Sequence, residues 1–392
     1  MGPAVDYMIA IKKAFDPDDI LNPCKLFGEN LKKEQVTPLC IDIEVAAICD
    51  LACPFCYRQY IATPDKIMDK KLAFRLIDQA SEMNVPSMKF NWRGEPLLNP
   101  NLPEIISYAK SKGILETIIN TNVTELDTKL SKKIISSGLD LMIISFDGGS
   151  KKSYEKMRPG RFKKNNFEPI IKNISNFSKI RKEMGSVFPR TKIQMVLTQE
   201  TRKEKDEFFN LFKDIIDDVS VKQYSERGGR LKDIEDSVKE NIKEKIKKYD
   251  KNTDIMLDID STVFVSEGRL PCEQPFQRML VTYDGRVSMC CYDWGSNHIV
   301  GYADDLALKI GDKDFKSVLK DAEKKKKGFE MMKLKLPKKL NQPEQITKKL
   351  SEIWYGEDIS KVREFHVSNK LEEVAICAGC KFKDTYKWKT IS

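Results

Sequence analysis

Between residues 39 and 223 the apolar positions switch repeatedly between two periods. Leu39–Val45 (LCIDIEV) alternates apolar and polar residues, as a strand with one buried face does. Residues 68–83 instead place Leu72, Leu76 and Ile77 at helical spacing, with Asp69 positioned to cap the start. The rhythm continues with a strand at 87–92 and a helix at 102–112 that stops at Gly113. A strand at 115–120 and a helix at 126–137 stopping at Gly138 follow, then an apolar strand at 139–146 and a long amphipathic helix at 166–184. A strand at 192–197, a helix at 203–216 and a strand at 219–223 close the series. Six strands, five of them followed by a helix across short connections, predict parallel strands joined by right-handed crossovers. Eight would close a full barrel. Periodicity alone does not separate a partial barrel from an open doubly wound sheet.

Beyond residue 223 the texture changes. Residues 226–250 are highly charged and helix-prone, and 279–292 read as a hairpin turning at Asp284-Gly285. Residues 321–350 are Lys-rich with scattered apolar patches, and a last helix-like piece spans 351–363. The expected organisation is an N-terminal extension over 1–38, a βα domain over 39–225 and a charged linker over 226–265. A smaller α+β domain over 266–392 would carry the Lys-rich segment as an insertion.

Of 392 residues, 41 % are apolar and 32 % charged, a globular balance with no window of about 18 apolar residues that would span a membrane. MGPAVDYMIA has no basic stretch leading into an apolar run, so the expected location is the cytoplasm. The net charge of +9 reads as a lysine-rich solvated surface; no basic stripe interleaved with aromatics supports a nucleic-acid partner. Only His298 and His366 are present, which leaves little for a Ser-His or Cys-His hydrolase. Ten cysteines fall at 24, 40, 49, 53, 56, 272, 290, 291, 377 and 380, clustered as metal or iron–sulfur ligands are rather than spread as a disulfide scaffold.

EVAAICDLACPFCYRQY carries the strongest signal: Cys49, Cys53 and Cys56 in C-x3-C-x2-C spacing directly after the first strand. Three thiolates can hold three irons of a cubane and leave the fourth open to a small chelating ligand, whereas a structural zinc would want a fourth residue nearby. This spacing, with Phe55 before the third cysteine, resembles the radical S-adenosylmethionine (SAM) superfamily. The resemblance implies that the open iron binds the amino and carboxylate groups of SAM, and that reductive cleavage releases a 5′-deoxyadenosyl radical. NWRGEPL at 91–97 resembles the family's GGEP motif, with Arg93 in place of its first glycine; Gly94, Glu95 and Pro96 would seat the methionine end of SAM. Asn120-Thr121-Asn122 and Ser145-Phe146-Asp147-Gly148 resemble further SAM-site segments, which makes Asn122 and Ser145 candidate contacts. All lie at the carboxyl ends of predicted strands, where ligands gather in parallel α/β folds. Residues 154–162 (YEKMRPGRF) resemble a phrase common in radical SAM proteins with a C-terminal extension; no chemistry is assigned to it, and Arg158 is read as a structural anion anchor.

Cys272, Cys290, Cys377 and Cys380 form the second set. Four thiolates gathered in space would close the coordination of a [4Fe–4S] cluster or of a zinc ion. With Pro275-Phe276-Gln277-Arg278, Asp284-Gly285, Asp293, Ile353-Trp354 and Arg363-x2-His366, the pattern resembles the auxiliary-cluster half of SPASM and twitch domains. No cysteine follows Cys380, so one auxiliary cluster is expected. Cys291 is a rival to Cys290 as ligand, and the spacing from Gly285 favours Cys290. Cys24 and Cys40 read as buried hydrophobes.

Residues 7–27 resemble the C-terminal tail of FAD-linked oxidases of the glycolate and D-lactate type; none of that family's flavin-binding fold accompanies them, and no flavin is expected. The resulting expectation is a partial (β/α)6 TIM-like barrel with a smaller C-terminal α+β auxiliary-cluster domain. It would be a radical SAM oxidoreductase, using SAM, a SAM-binding [4Fe–4S] cluster and one auxiliary [4Fe–4S] cluster. Flavodoxin or ferredoxin would be its electron donor. A small-molecule or carbohydrate alcohol is the first substrate expectation and a modified peptide the alternative. An RNA-modifying enzyme and a non-catalytic metal-binding protein are the remaining rivals, the last fed by Arg93. No residue stands out as a catalytic base.

Overall fold

The computed structural model describes residues 37–59, 61–198, 200–223, 255–257, 263–311, 313–324, 340–378, 380, 382 and 386–391. The oxidase-like N-terminal segment with Cys24, nearly all of the charged linker and the centre of the Lys-rich segment lie outside the described residues. Both cysteine sets belong to the compact unit Pro38–Ser392.

Six strands alternate with helices as the periodicity predicts: β1 (Cys40–Ile43), β2 (Ser87–Lys89), β3 (Glu116–Thr121), β4 (Leu141–Ser145), β5 (Arg190–Leu197) and β6 (Asp218–Gln223). They are parallel and lie side by side in chain order. Sequential order is that of a barrel wall; a doubly wound sheet reverses its order at a switch point. The wall is a partial (β/α)6 barrel, because β1 takes its other partner from the C-terminal region rather than from β6.

The intervening helices start and stop on their own residues. In α1 (Lys70–Glu82) the Asp69 carboxylate accepts from the Lys71 backbone N–H at 2.8 Å, and Leu72, Leu76 and Ile77 are buried. The helices α2 (Leu102–Ser111) and α3 (Thr128–Ser136) end where predicted, and Asp127 caps α3 through the Leu130 N–H at 2.6 Å. Sequence periodicity misses α4 (Lys151–Met157), which at seven residues is too short to show a period; Ser150 and Ser153 box its start. The helices α5 (Phe167–Glu183) and α6 (Lys205–Phe212) complete the outer layer. Phe146, Phe177, Phe208 and Phe212 are buried in the core between wall and helices.

The predicted hairpin forms from β9 (Arg278–Val281) and β10 (Arg286–Ser288). Its turn needs Gly285: φ is +91°, and a Cβ there would lie 2.6 Å from the Asp304 Cβ. β9 pairs in parallel with β1, and β10 pairs antiparallel with β11 (Ile299–Tyr302), so the C-terminal region extends the barrel wall to nine strands. A separate antiparallel sheet unites β7 (Ile255–Leu257), β8 (Val263–Arg269) and β12 (Tyr386–Ile391). The helix-like piece at 351–363 is two helices, Leu350–Trp354 and Glu357–Val367. No helix among the described residues is long and apolar enough to cross a membrane.

Candidate cofactor site

Beyond β1 the chain turns over the mouth of the barrel as the loop that carries Cys49, Cys53 and Cys56. Neighbouring segments hold it by backbone bonds: Ala52 N–H to Pro159 O (2.8 Å), Arg161 N–H to Asp50 O (2.7 Å) and Glu95 N–H to Ile48 O (2.8 Å). The phrase at 154–162, given no role from sequence, thus backs the cysteine loop, and Arg158 is an anion anchor: it pairs with the buried Asp147 carboxylate (2.5 Å). Phe55 is half-buried within the Cys53–Cys56 turn. None of the nine described cysteines is in a disulfide. Burial pushes the proton affinity of Cys53 up, and the nearby Cys56 and Cys49 thiolates add to it; burial likewise lifts Cys49 to about 12. Such thiols part with their protons when a cation takes their place.

Glu95 is the hub. Its Oε1 accepts from Thr121 Oγ1 (2.6 Å) and Leu97 N (3.0 Å), and its Oε2 from Asn122 N (2.7 Å). Asn122 Nδ2 donates on to Asp50 Oδ1 at 2.9 Å, within the cysteine loop. A carboxylate has about four lone-pair sites, so one on Oε2 is left for another donor. Burial raises Glu95 to about 7 against these three bonds. Gly94 is required by contact, since a Cβ there would lie 2.3 Å from Ala46 O and 2.4 Å from Ile48 O. Pro96 is buried and starts the short turn Pro96–Leu98. Ser145 ends β4 half-buried, in register with Gln194. The sequence points to Asn122 rather than Asn120, yet the Asn120 side-chain oxygen is buried without a hydrogen-bond partner at the end of β3. A buried acceptor without a partner is what a bound polar ligand or water would satisfy.

Arg93 does not occupy this site. It is buried below it, pairing Nε and NH2 with Glu44 Oε1 and Oε2 (2.7 and 2.8 Å) and stacking on Trp92 at 4.2 Å. The departure from the family motif therefore leaves the Gly94–Pro96 backbone free to meet the cysteine loop.

In the second set, Cys272, Cys290, Cys377 and Cys380 line one cavity together with Arg269, Tyr292 and His366. Cys291 is not in its lining, but its thiol lies against the Cys290 thiol and 3.6 Å from Oε1 of Gln274, which does line it. Burial lifts Cys272 to about 11 and Cys377 to about 12, and the neighbouring thiols add to both. Asp293 is buried and orders the turn beyond Cys291, accepting from His298 N (2.7 Å) and Asn297 Nδ2 (2.8 Å). Among the described residues no three Cys, His, Asp or Glu side chains gather tightly enough to hold a single ion. A zinc needs its thiolates at about 2.3 Å from one point, whereas a cubane places each on a different iron around a void. Thiols spaced around a cavity fit the cluster.

Known proteins resemble this chain in three regions. Residues 43–212 match the radical SAM superfamily model, and residues 272–333 the SPASM iron–sulfur cluster-binding domain. The second match covers Cys272, Cys290 and Cys291 and stops short of Cys377 and Cys380, which the fold brings to the same cavity. Residues 2–26 match the C-terminal domain of FAD linked oxidases. A GTP 3',8-cyclase of Chlorobaculum tepidum is 29 % identical over 34 % of this chain and 39 % of its own. A PqqA peptide cyclase of Xanthomonas oryzae is 31 % identical over 28 % of this chain and 29 % of its own. The chain thus spans less than half the length of these relatives. Streptococcus suis SuiB, solved with its precursor peptide SuiA, shares the fold at a TM-score of 0.52 and 16 % identity, over 91 % of this chain and 81 % of that one.

Proposed function

We propose, on the premise that this chain belongs to the radical SAM superfamily and carries a SPASM cluster-binding domain, that it abstracts a hydrogen atom from its substrate and completes a two-electron oxidation. When bound, SAM and the two clusters supply a 5′-deoxyadenosyl radical and a one-electron acceptor. Cys49, Cys53 and Cys56 would hold the SAM-binding cluster, and Cys272, Cys290, Cys377 and Cys380 the auxiliary one. Gly94 brings the Gly94–Pro96 turn against the cysteine loop, and Glu95 offers its remaining lone pair to the SAM ammonium. Asn120, Asn122 and Ser145 line the same strand ends, with Phe55 beside the third cysteine. The observation that carries this reading is the Glu95 hub, which ties the Gly94–Pro96 turn, the end of β3 and the cysteine loop into one site.

The substrate proposed first is a small-molecule alcohol, a preference that the matches, to a cyclase named for GTP and to peptide cyclases alike, do not favour over a peptide. The match to peptide cyclases supports a peptide as the second reading. Deuterium transfer tests both: candidate alcohols and peptides labelled at carbon are incubated with the reduced holoenzyme and SAM, and 5′-deoxyadenosine is weighed by mass spectrometry. Label arriving only from alcohols supports the first reading. Label only from peptides overturns it in favour of the second. Product formed without label from any candidate, at an unchanged rate, contradicts both.

A further inference from the structure

His366 has both ring nitrogens committed, and the commitments fix where its proton sits. The residue is 1 % exposed, on the helix Glu357–Val367. The backbone N–H of Cys272 donates to Nδ1 at 3.1 Å. A nitrogen that accepts a hydrogen bond carries no proton, so the imidazole is neutral and its one proton is on Nε2. Nε2 lies 3.3 Å from Cys377 Sγ. A cluster-bound thiolate has no proton to give, so this contact can run only one way, from Nε2–H to sulfur.

The ring is held in that pose. One turn earlier, Arg363 donates from Nε to Pro275 O (2.9 Å) and from NH1 to Trp354 O (2.7 Å), and stacks on the Trp354 ring at 4.0 Å. The edge of Phe276 meets the imidazole, with ring centroids 6.4 Å apart. His366 therefore touches two of the four cavity cysteines at once, one through the backbone and one through sulfur.

We infer that His366 donates a hydrogen bond to the Cys377 sulfur and thereby raises the reduction potential of the auxiliary cluster; this rests on the assignment of Cys272 and Cys377 as ligands. Reduction adds one negative charge to a cluster and its thiolates. A donor aimed at a ligand sulfur stabilises the reduced state more than the oxidised one. Tyr292 N–H, 3.3 Å from Cys290 Sγ, acts in the same sense on a second ligand. His366 acts through Cys377 and is a positioning residue.

The test uses the full chain carrying Cys49→Ala, Cys53→Ala and Cys56→Ala, so that only the auxiliary cluster contributes to an anaerobic redox titration followed by electron paramagnetic resonance. In His366→Leu the ratio of reduced to oxidised cluster at a fixed poise falls by on the order of tenfold, a drop of about 59 mV for a one-electron couple. In His366→Gln, whose amide N–H can reach the sulfur, at least half of that shift is recovered. His366→Leu protein that holds about four irons with an unshifted potential overturns the inference, and so does His366→Gln shifting as far as His366→Leu. A pulsed measurement on the His366-containing protein with labelled histidine needs no substitution at 366. It predicts coupling of the reduced cluster to a ring nitrogen and its exchangeable proton, and no coupling overturns the inference. Failure of the His366-containing protein to hold iron overturns instead the ligand assignment beneath it, which separates the two failures.

Discussion

The indole N–H of Trp92, in the segment that follows β2, donates to the carbonyl oxygen of Cys291 at 2.9 Å across 199 residues of sequence. Trp294 lies beside it, its ring centroid 6.1 Å from that of Trp92 and 5.9 Å from that of Tyr57, the residue after Cys56. The two cysteine regions thus adjoin through three aromatic rings. The bond also fixes the backbone of Cys291 beside the cavity that the Cys290 thiol lines. Reconstituted Cys291→Ala is therefore expected to keep about eight irons, as two cubanes require, and Cys290→Ala about four. The reverse pattern in an iron assay would make Cys291 the ligand.

Gly94→Ala tests the approach of the Gly94–Pro96 turn to the cysteine loop. Its Cβ would overlap the carbonyls of Ala46 and Ile48, and Ile48 O is also the acceptor for Glu95 N–H. Misplacing this turn by about 1 Å is expected to weaken SAM binding and to slow SAM cleavage on the order of a hundredfold, with far-UV circular dichroism unchanged. Calorimetry showing parent-like affinity would contradict the contact.

Arg93→Gly restores the glycine of the family motif, and the structure predicts harm from it. Glu44 is fully buried, and removing its partner strands a charge at a cost of about 3–5 kcal/mol. Adding Glu44→Gln should return part of that loss. Denaturant midpoints that do not move in Arg93→Gly would show that the pair contributes nothing.

Glu95 makes the site sensitive to pH in two opposite ways. Its carboxyl is raised by burial from an ordinary 4.5 to about 7 in the folded chain. The folded state therefore binds this proton more tightly than the unfolded one; the stabilisation is full below about pH 4.5 and is lost as pH rises through about 7. SAM binding runs the other way, because the ammonium needs an ionised partner, so affinity should rise through about pH 7. Glu95→Gln should remove that step. A parent profile flat between pH 6 and 8 would exclude Glu95 as the ammonium's partner.

The barrel is legible in the sequence because each βα unit repeats two clean periods, and its caps, Asp69 and Asp127, stand next to the helices they start. The three cysteines of the first loop are legible because they are contiguous. Local periodicity is silent on what the fold joins from afar. The parallel pairing of β9 with β1 is set by contacts between residues such as Asp42 and Leu280. In the sheet of β7, β8 and β12, the last strand joins β8 from more than a hundred residues away. His366 reads as an ordinary histidine because its two partners, Cys272 and Cys377, are 94 and 11 residues away. The sequence singles out Asn122, and Asn120 goes unnoticed because only burial shows that its side-chain oxygen lacks a partner.

The central claim is that Cys49, Cys53 and Cys56 hold the cluster that cleaves SAM. It is tested most directly by anaerobic reconstitution with iron and sulfide, reduction in the presence of SAM, and chromatography for 5′-deoxyadenosine, beside a chain with all three cysteines changed to Ala. Nucleoside from the parent and none from the variant is the expected result. Equal yields from the two, or a parent chain that binds no iron, would contradict it.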